Sequence, residues 1–120
     1  MRTHKDLDVC QKSMDLVVDI YTFSKEMPSD EIYGLTRQIK RSAISVPSNI
    51  AEGAGRKGEA EWIRFLYIAL GSLTELETQI ELCRRLEMGA ENTDPIFKQI
   101  KNIRLMITRL IKSLDNRRNK

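Results

Sequence analysis

Residues 62–83, WIRFLYIALGSLTELETQIELC, decide the fold of this chain. Their apolar residues recur at spacings of four and three, at positions 62, 66, 69, 73, 76, 80 and 83. This period places them along one side of a helix and is typical of helices that pack in bundles. Arg84 and Arg85 follow in the last turn, where cations are favoured, and Gly89 comes after it. We therefore predict a helix over residues 59–87.

Two further segments, one on each side, carry the same helical period. Helix one is predicted over residues 8–25 and is ended by Pro28. Its apolar residues at helical spacing are Met14, Val17, Val18 and Tyr21. Helix four, over residues 95–115, opens with Asp94 as its cap and a proline at the first helical position. Its apolar positions are 96, 100, 103, 107, 110 and 114, and a basic tail follows over residues 116–120.

Helix two is predicted over residues 30–53, with Ser29 as its N-cap and a buried ridge at positions 35, 39, 43, 46 and 50. Pro47 lies within this helix. Because proline has no N–H and its ring clashes with the carbonyl four residues earlier, we predict a kink. The connections are short and no β-type alternation is present. The chain is therefore predicted to be one all-α domain over residues 1–120, an antiparallel up-down-up-down four-helix bundle.

Composition excludes several classes of protein. The 120 residues fit one domain, and Leu, Ile, Val and Phe supply 32 of them, which excludes a disordered chain. The net charge of +3 does not by itself require a nucleic-acid or membrane partner. The N-terminus lacks the apolar stretch of a signal peptide, and no segment approaches the roughly 20 apolar residues of a membrane span. We expect a cytoplasmic protein with no membrane partner.

Helix three carries more apolar residues than one buried face needs. Between positions 62 and 73 it is apolar nearly all round, and such a helix is buried on more than one side. In a small bundle the second side must face another subunit or remain an exposed patch that marks a partner site, and we predict an oligomer. The alternative is a central helix buried deeply in a monomer. The residues predicted for the subunit interface are Trp62, Ile63, Phe65, Ile68 and Leu70.

The chain lacks the groups that common catalytic sites need. Residues 53–58, GAGRKG, match a dinucleotide-binding fingerprint in letters, but a helical segment rather than a strand precedes them. His4 is the one histidine, and Cys10 and Cys83 are expected to be small buried residues rather than a disulfide. The pair Glu77 and Glu81 fits a solvated helix face. We predict no enzyme activity, no metal and no cofactor.

Basic residues give the stronger indication of function. On helix four a basic stripe lies opposite the apolar ridge, and on helix two a second group lies opposite its own ridge. Such stripes neutralise phosphates without reading sequence. The alternative is that they form the polar face that every soluble helix needs. The candidate nucleic-acid-binding residues are Lys98, Lys101, Arg109, Lys112, Arg117 and Arg118 on helix four and the tail, and Arg37, Lys40, Arg41, Arg56 and Lys57 on or after helix two.

The central block closely resembles the bacterial four-helix-bundle proteins associated with 23S rRNA intervening sequences. The resemblance lies in residues 32–56, IYGLTRQIKRSAISVPSNIAEGAGR, and continues through residues 62–79. It also includes residues 7–16, LDVCQKSMDL, so it covers roughly residues 7–88. Residues 45–53, SVPSNIAEG, are highly specific to that family. Cys10 departs from the pattern, since tryptophan is typical there.

This resemblance implies a second helix kinked at Pro47 and a homopentameric barrel of four-helix protomers. It also implies similarity to the accessory proteins of diversity-generating retroelements, which are pentamers that contact a reverse transcriptase and nucleic acid. No catalytic residues are carried over with it.

The motif residues also have a physical interpretation. Glu52 stands four residues before Arg56, the favourable order for a helical ion pair, and Gly53 closes the family stretch. Ser48 and Asn49 follow Pro47, where carbonyls freed by a kink need partners. Gly71 inside helix three would cost roughly 1 kcal/mol against alanine if exposed, so we predict a close helix or subunit contact there.

Two functions remain open. The first is a non-enzymatic homo-oligomer, with five subunits by resemblance, that binds RNA or DNA by phosphate contact. The second is a protein–protein adaptor that seats a polymerase or reverse-transcriptase-type partner, favoured by the apolar surface of helix three.

Overall fold

The computed structural model describes residues 4–118, with the backbone alone for residues 4–7. Within this range the chain is helical and contains no strand, so the all-α prediction is confirmed. The four helices are α1 (His4–Ser24), α2 (Leu35–Ala54), α3 (Glu59–Arg85) and α4 (Thr93–Arg118). Single turns of 3-10 helix, Ser29–Glu31 and Ala90–Asn92, precede α2 and α4. The side chain of His4 and residues 119–120 of the predicted tail lie outside the described residues.

The four helices pack side by side, each mainly against the two that neighbour it around the bundle. Contacts at the ends show that α4 runs antiparallel to both of its neighbours, α3 and α1. At one end Arg117, near the end of α4, lies 3.6 Å from the carboxylate of Glu59, at the start of α3. At the other end Asn92 donates to Glu26, just after α1, at 2.7 Å. The bundle measures 51 × 23 × 19 Å.

The core follows the predicted ridges of α2, α3 and α4. In α3 all seven apolar positions from Trp62 to Cys83 are fully buried. In α4 the ridge from Ile96 to Leu114 is buried as predicted, except that Ile111 replaces the partly buried Leu110. Burying apolar side chains at about 25 cal/mol per Å² is the main favourable term in folding, so these ridges determine which helix faces meet.

The buried face of α1 differs from the apolar run read in the sequence. Met14, Val18 and Tyr21 are exposed to 42%, 64% and 42%, and Val17 is only partly buried. The face that packs into the core instead contains Val9, Ser13, Leu16, Ile20 and Phe23. Ser13 interrupts the apolar period of that face, but its hydroxyl donates to the Val9 carbonyl at 2.8 Å and is therefore satisfied in the core.

The start of α2 also differs from the prediction. Ser29 begins a separate 3-10 turn, and α2 starts six residues later at Leu35. Gly34 interrupts the helical path, and the carboxylate of Glu31 accepts from the Leu35 N–H at 3.1 Å. Glu31 therefore does the capping that the sequence assigned to Ser29. Asp94 likewise lies inside α4, which begins at Thr93, and forms an ion pair with Arg84.

The family stretch, residues 45–53, builds the contact between α2 and α3. Ser45 and Ser72 share a hydrogen bond of 2.7 Å between their hydroxyls, and Asn49 donates to both the carbonyl and the hydroxyl of Ser45. Asn49 therefore donates to the Ser45 carbonyl. It does not donate to the carbonyl of Ala43, which lies four residues before Pro47 and receives no N–H from it. Ser48 is exposed. α2 continues through Pro47 to Ala54.

Gly53 completes the same contact. A Cβ built on it would lie 2.7 Å from Phe65 Cβ and 2.7 Å from Trp62 Cδ1. Only a residue without a side chain lets the two helices approach this closely. Gly71 is the opposite case, because a Cβ there meets nothing within 4 Å. The close contact predicted at Gly71 is therefore not made within the described part of the protomer.

Candidate nucleic-acid interface

The outer face of α4 carries a row of exposed cations, the α4 stripe, formed by Lys98, Lys101, Arg109 and Lys112. It lies opposite the ridge of buried isoleucines, because residues on opposite sides of a helix differ by about 180° at 100° per residue. The first and last residues are 14 positions apart, or about 21 Å at 1.5 Å per residue. Only Asp94 and Asp115 are acidic in α4, and they flank the stripe. Leu105, which is 45% exposed, lies between Lys101 and Arg109, so the stripe consists of two pairs of cations with one apolar residue between them.

The four cations of the α4 stripe make no ion pair with any residue that the structure describes. Arg104, which points toward α3, behaves differently: its guanidinium binds the Glu77 carboxylate at 2.8 Å. A cation with a carboxylate partner must exchange that partner for a phosphate, whereas an unpaired cation gives up only water and counterions. The stripe is therefore the basic surface best prepared to bind a polyanion.

The basic residues of α2 lie on a different side of the bundle. α2 and α4 are diagonal partners and do not neighbour each other, so their outer faces point apart. Arg37 and Arg41 are exposed, and Arg41 donates to Gln38 at 3.1 Å. Lys40 is half-buried, with its ammonium 4.7 Å from the centre of the Tyr21 ring. The structure does not bring these residues together with the α4 stripe.

The remaining candidates gather at one end of the bundle. Arg56 and Lys57 follow α2, and Arg117 and Arg118 end α4, so the antiparallel topology places them at the same end. Three of them face carboxylates: Arg56 with Glu52 at 3.1 Å, Arg117 with Glu59 at 3.6 Å, and Arg118 with Asp115 at 3.6 Å. The pair of Glu52 and Arg56 is the one that their spacing predicted. This end is basic but partly neutralised.

An arginine–aromatic cluster at this end was missed in the sequence. The guanidinium carbons of Arg56 and Arg64 lie 5.1 and 4.7 Å from the centre of the Phe65 ring. Arg64 also donates to Glu61 at 2.9 Å, and this hydrogen bond holds the pKa of the Glu61 carboxyl below its ordinary value. In the sequence, the one sign of this cluster is that Arg64 and Phe65 are neighbours. Both arginines contact the Phe65 ring and pair with a carboxylate, Arg56 with Glu52 and Arg64 with Glu61. The cluster therefore stabilises this end of the bundle and does not present free cations.

The predicted subunit interface on α3 is largely used inside the protomer. Trp62 is fully buried, and Ile63 and Phe65 are 8% and 9% exposed. Leu70 packs partly against the core, while Ile68 remains exposed. The surplus apolar residues of α3 cover its flanks toward α2 and α4, because α3 has a neighbour on each side. Trp62, Ile63 and Phe65 therefore have little surface left for a partner, which corrects the prediction.

Exposed apolar surface lies instead between α1 and α2. A groove there, the α1–α2 groove, continues along both helices and has no acidic residue in its lining. It contains the residues of α1 that the sequence analysis had assigned to the core. Its lining residues are Cys10, Met14, Val17, Val18, Tyr21, Thr22, Lys25, Ile44, Pro47, Ser48 and Ala51.

The described side chains form no cluster of three or more residues that could hold a metal ion. Both cysteines are buried and unpaired with each other. Burial, followed by the nearby Glu31 carboxylate, raises the pKa of the Cys83 thiol to about 11, and burial also raises the pKa of Cys10. Such thiols are protonated at neutral pH and are poor nucleophiles. No helix in the described range has the length and apolar character needed to cross a bilayer.

Comparison with known protein families identifies the family to which the chain belongs. The family described as 23S rRNA-intervening sequence protein matches residues 5–109, which include nearly all of α1, all of α2 and α3, and most of α4. The chain belongs to this family.

A solved structure supports the same assignment. A protein of unknown function from the S23 ribosomal protein family of Bacteroides thetaiotaomicron is 30% identical in sequence, with a TM-score of 0.82. The match covers 90% of this chain and 98% of the other. The Bacteroides protein is therefore similar over nearly its whole length. No functionally curated protein matches this chain.

Proposed function

We propose that this protein is a non-enzymatic, ring-forming helical bundle of the cytoplasm that binds RNA, or another nucleic acid, by phosphate contact through the α4 stripe. The observation that carries the proposal is that Lys98, Lys101, Arg109 and Lys112 are exposed, share one helix face and have no carboxylate partner among the described residues. The family description, which refers to rRNA, is consistent with RNA as the polyanion.

The ring part of the proposal rests on exposed apolar surface and on the resemblance to pentameric proteins. We infer five subunits. A ring repeats the α4 stripe around its circumference and multiplies the net charge of +3 per chain, which strengthens attraction to a polyanion. We also infer that Pro47 bends α2, since its ring crowds the carbonyl of Ala43. A bent α2 would follow the curvature of a barrel.

The test is a filter-binding titration of a structured RNA at several salt concentrations. Four phosphate contacts per stripe predict a slope of log K against log salt of about −2.8 to −3.6. Replacing all four stripe cations with glutamine should remove most of that slope and weaken binding to the level of a neutral surface. A duplex DNA of equal length, titrated in parallel, tells whether the contact is restricted to RNA.

A matched variant distinguishes binding by the α4 stripe from binding by the net positive charge of the protein. Arg37, Arg41 and Lys57 are also exposed cations, but lie on other faces of the bundle. Replacing these three with glutamine removes a similar charge and should leave most of the salt slope in place. Equal weakening by both variants would assign binding to net charge, and absence of binding near 100 mM salt would refute the proposal.

A protein adaptor is the second candidate, and one observation favours it. The turn that leads into α2 carries Ile32 and Tyr33, whose side chains are 53% and 86% exposed. A large aromatic side chain in that position is typical of contact hot spots. Purification from the native host after nuclease treatment would test for a polymerase-type partner. A partner that remains bound to the native protein and is lost with Tyr33→Ser would favour the adaptor.

A further inference from the structure

The α1–α2 groove is an apolar surface with positive charge at one end. Its only charged lining residue is Lys25, and Lys40 lies beside it over the Tyr21 ring. Val18 and Ile44 are 64% and 42% exposed along the groove, although both are large apolar residues. Exposed apolar residues gathered in one groove indicate a contact with another macromolecule.

A second exposed apolar surface lies on α3, and we name it the α3 outer face. It contains Tyr67, Ile68 and Leu82, which are all exposed, together with Gly71, Glu75, Thr78 and Arg64, the last of which is paired with Glu61. Gly71 is a helix-interior glycine with open space above it, so it costs helix stability and contacts nothing in the protomer. An approaching helix or groove would make use of that missing side chain. Glu75 has no ion pair with the described residues.

These two surfaces complement each other. One is a groove with an excess of positive charge, and the other is a convex helix face with an unpaired carboxylate. They are different surfaces on different helices, so a contact between them joins one copy to the next in a head-to-tail manner. Contacts of that kind form a closed ring when the rotation between copies closes and an open filament when it does not, whereas a contact between identical surfaces gives a two-fold dimer.

The height of each residue along the bundle predicts which residues meet. The Ser45–Ser72 hydrogen bond places the middle of α2 level with the middle of α3. Because these helices run antiparallel, Gly71 is level with Ile44 and Pro47 to within about one helical turn. Lys40 is level with residue 77 and therefore within about 3 Å of the height of Glu75. In a ring of upright bundles, residues at equal height on the two surfaces face each other.

We therefore propose that the α1–α2 groove of one copy receives the α3 outer face of the next copy, with Gly71 against Ile44 and Glu75 beside Lys40. The occupant of the groove is a second copy of this chain. The inference rests on the proposed ring and adds to it the two surfaces that meet and their register.

Engineered cysteines test this contact directly. Native Cys83 is fully buried, and Cys10, which lines the groove, is replaced by serine in every variant, so cysteines placed at 44 and 71 are the accessible ones. A variant with both Ile44→Cys and Gly71→Cys, treated with a mild oxidant or a short bismaleimide, should give a ladder of covalent species that ends at the size of the ring. Each single variant should remain uncrosslinked. Dimers from a single variant would show a two-fold contact and overturn the proposal.

Light scattering of the unmodified protein distinguishes failure of the contact from failure of the ring. An oligomer that the double variant does not crosslink would overturn the proposed surfaces and leave the ring intact. A monomer would refute both.

A size change at Gly71 provides an independent test. A leucine at 71 meets no atom of the protomer near its Cβ, so Gly71→Leu should fold with unchanged helix content. It should nevertheless raise the dissociation constant of assembly by about tenfold or more, because it fills the space that the groove needs. The matched control is Asn102→Leu on the exposed face of α4. Equal assembly of the two variants would overturn the proposal.

Charge exchange tests the register. Lys40→Glu and Glu75→Lys should each weaken assembly, and the double variant should recover it. If both single variants assemble like the unmodified protein, then the register is wrong.

Discussion

Gly53→Ala adds one methyl group at the tightest point between α2 and α3. The new Cβ would lie 2.7 Å from both Phe65 Cβ and Trp62 Cδ1, and 3.2 Å from the Trp62 carbonyl oxygen. An optimal carbon–carbon contact is about 3.5–4.0 Å, so the two helices must separate by roughly 1 Å. The opposing atoms belong to backbone or lie close to it, so rotation of a side chain cannot relieve the clash.

The expected loss of stability follows from two opposing effects. Overpacking of this kind costs about 1–3 kcal/mol, while alanine gains up to about 1 kcal/mol over glycine in a helix. Gly53 stands in the last turn of α2, where that gain is smaller. We expect a net loss of about 1–2 kcal/mol. With an unfolding entropy near 2.1 cal/mol/K per residue, a 120-residue chain loses about 4 °C of Tm per kcal/mol, or about 4–8 °C.

Thermal unfolding followed by circular dichroism at fixed protein concentration measures this loss. Gly55→Ala is the matched control, because a Cβ there would lie 3.6 Å from its nearest neighbour, an ordinary contact. The control should unfold within about 2 °C of the unmodified protein, as expected for a change within ±0.5 kcal/mol. If Gly53→Ala is as stable as Gly55→Ala, then Gly53 does not set the distance between α2 and α3.

Three further predictions concern capping, titration and polar packing. Glu31→Ala removes the acceptor for the Leu35 N–H and should lower the free energy of unfolding by about 0.5–2 kcal/mol in urea titrations; an unchanged midpoint would exclude a capping role. The pKa of Cys83 is raised to about 11, so folding favours the protonated thiol. The contribution of Cys83 to stability should therefore fall as pH rises from about 9 toward 11, and Cys83→Ala should show less of that fall. Ser72→Ala removes one hydrogen-bond partner of the Ser45 hydroxyl and should lower the free energy of unfolding by about 0.5–1.5 kcal/mol in the same urea titration. A double-mutant cycle on Ser45 and Ser72 that shows no coupling would contradict a direct hydrogen bond between them.

The sequence predicts helices well where one apolar stripe is unambiguous. In α3 and α4, spacings of four and three mark a single buried face, and the burial of Leu73 and Ile103 agrees with it. The α4 stripe could be located from the same periodicity, because a face opposite a known ridge is exposed. α1 fails this test, since it carries two overlapping apolar stripes. The buried one contains Ser13, whose hydrogen bond to Val9 has no signal in a hydrophobic pattern.

Features that depend on a choice between neighbouring caps, or on another helix, could not be predicted from the sequence pattern. The start of α2 depends on the Glu31 carboxylate in the preceding turn, which accepts from the Leu35 N–H. Ser29 followed by two acidic residues fits the pattern of a helix N-cap equally well. Ion pairing could be anticipated within a helix, as for Glu52 and Arg56, but not between Arg117 and Glu59, which are 58 positions apart. The α1–α2 groove was missed for the same reason, because its walls belong to two helices.

The packing at Gly53 also provides a spectroscopic reporter. Trp62 is the only tryptophan of the chain, is fully buried and lies at the point where α2 contacts α3. Its indole emission therefore comes from one known position, and a shift toward longer wavelength would mark water entering between these two helices. Separation of α2 from α3 can thus be followed in the unlabelled protein.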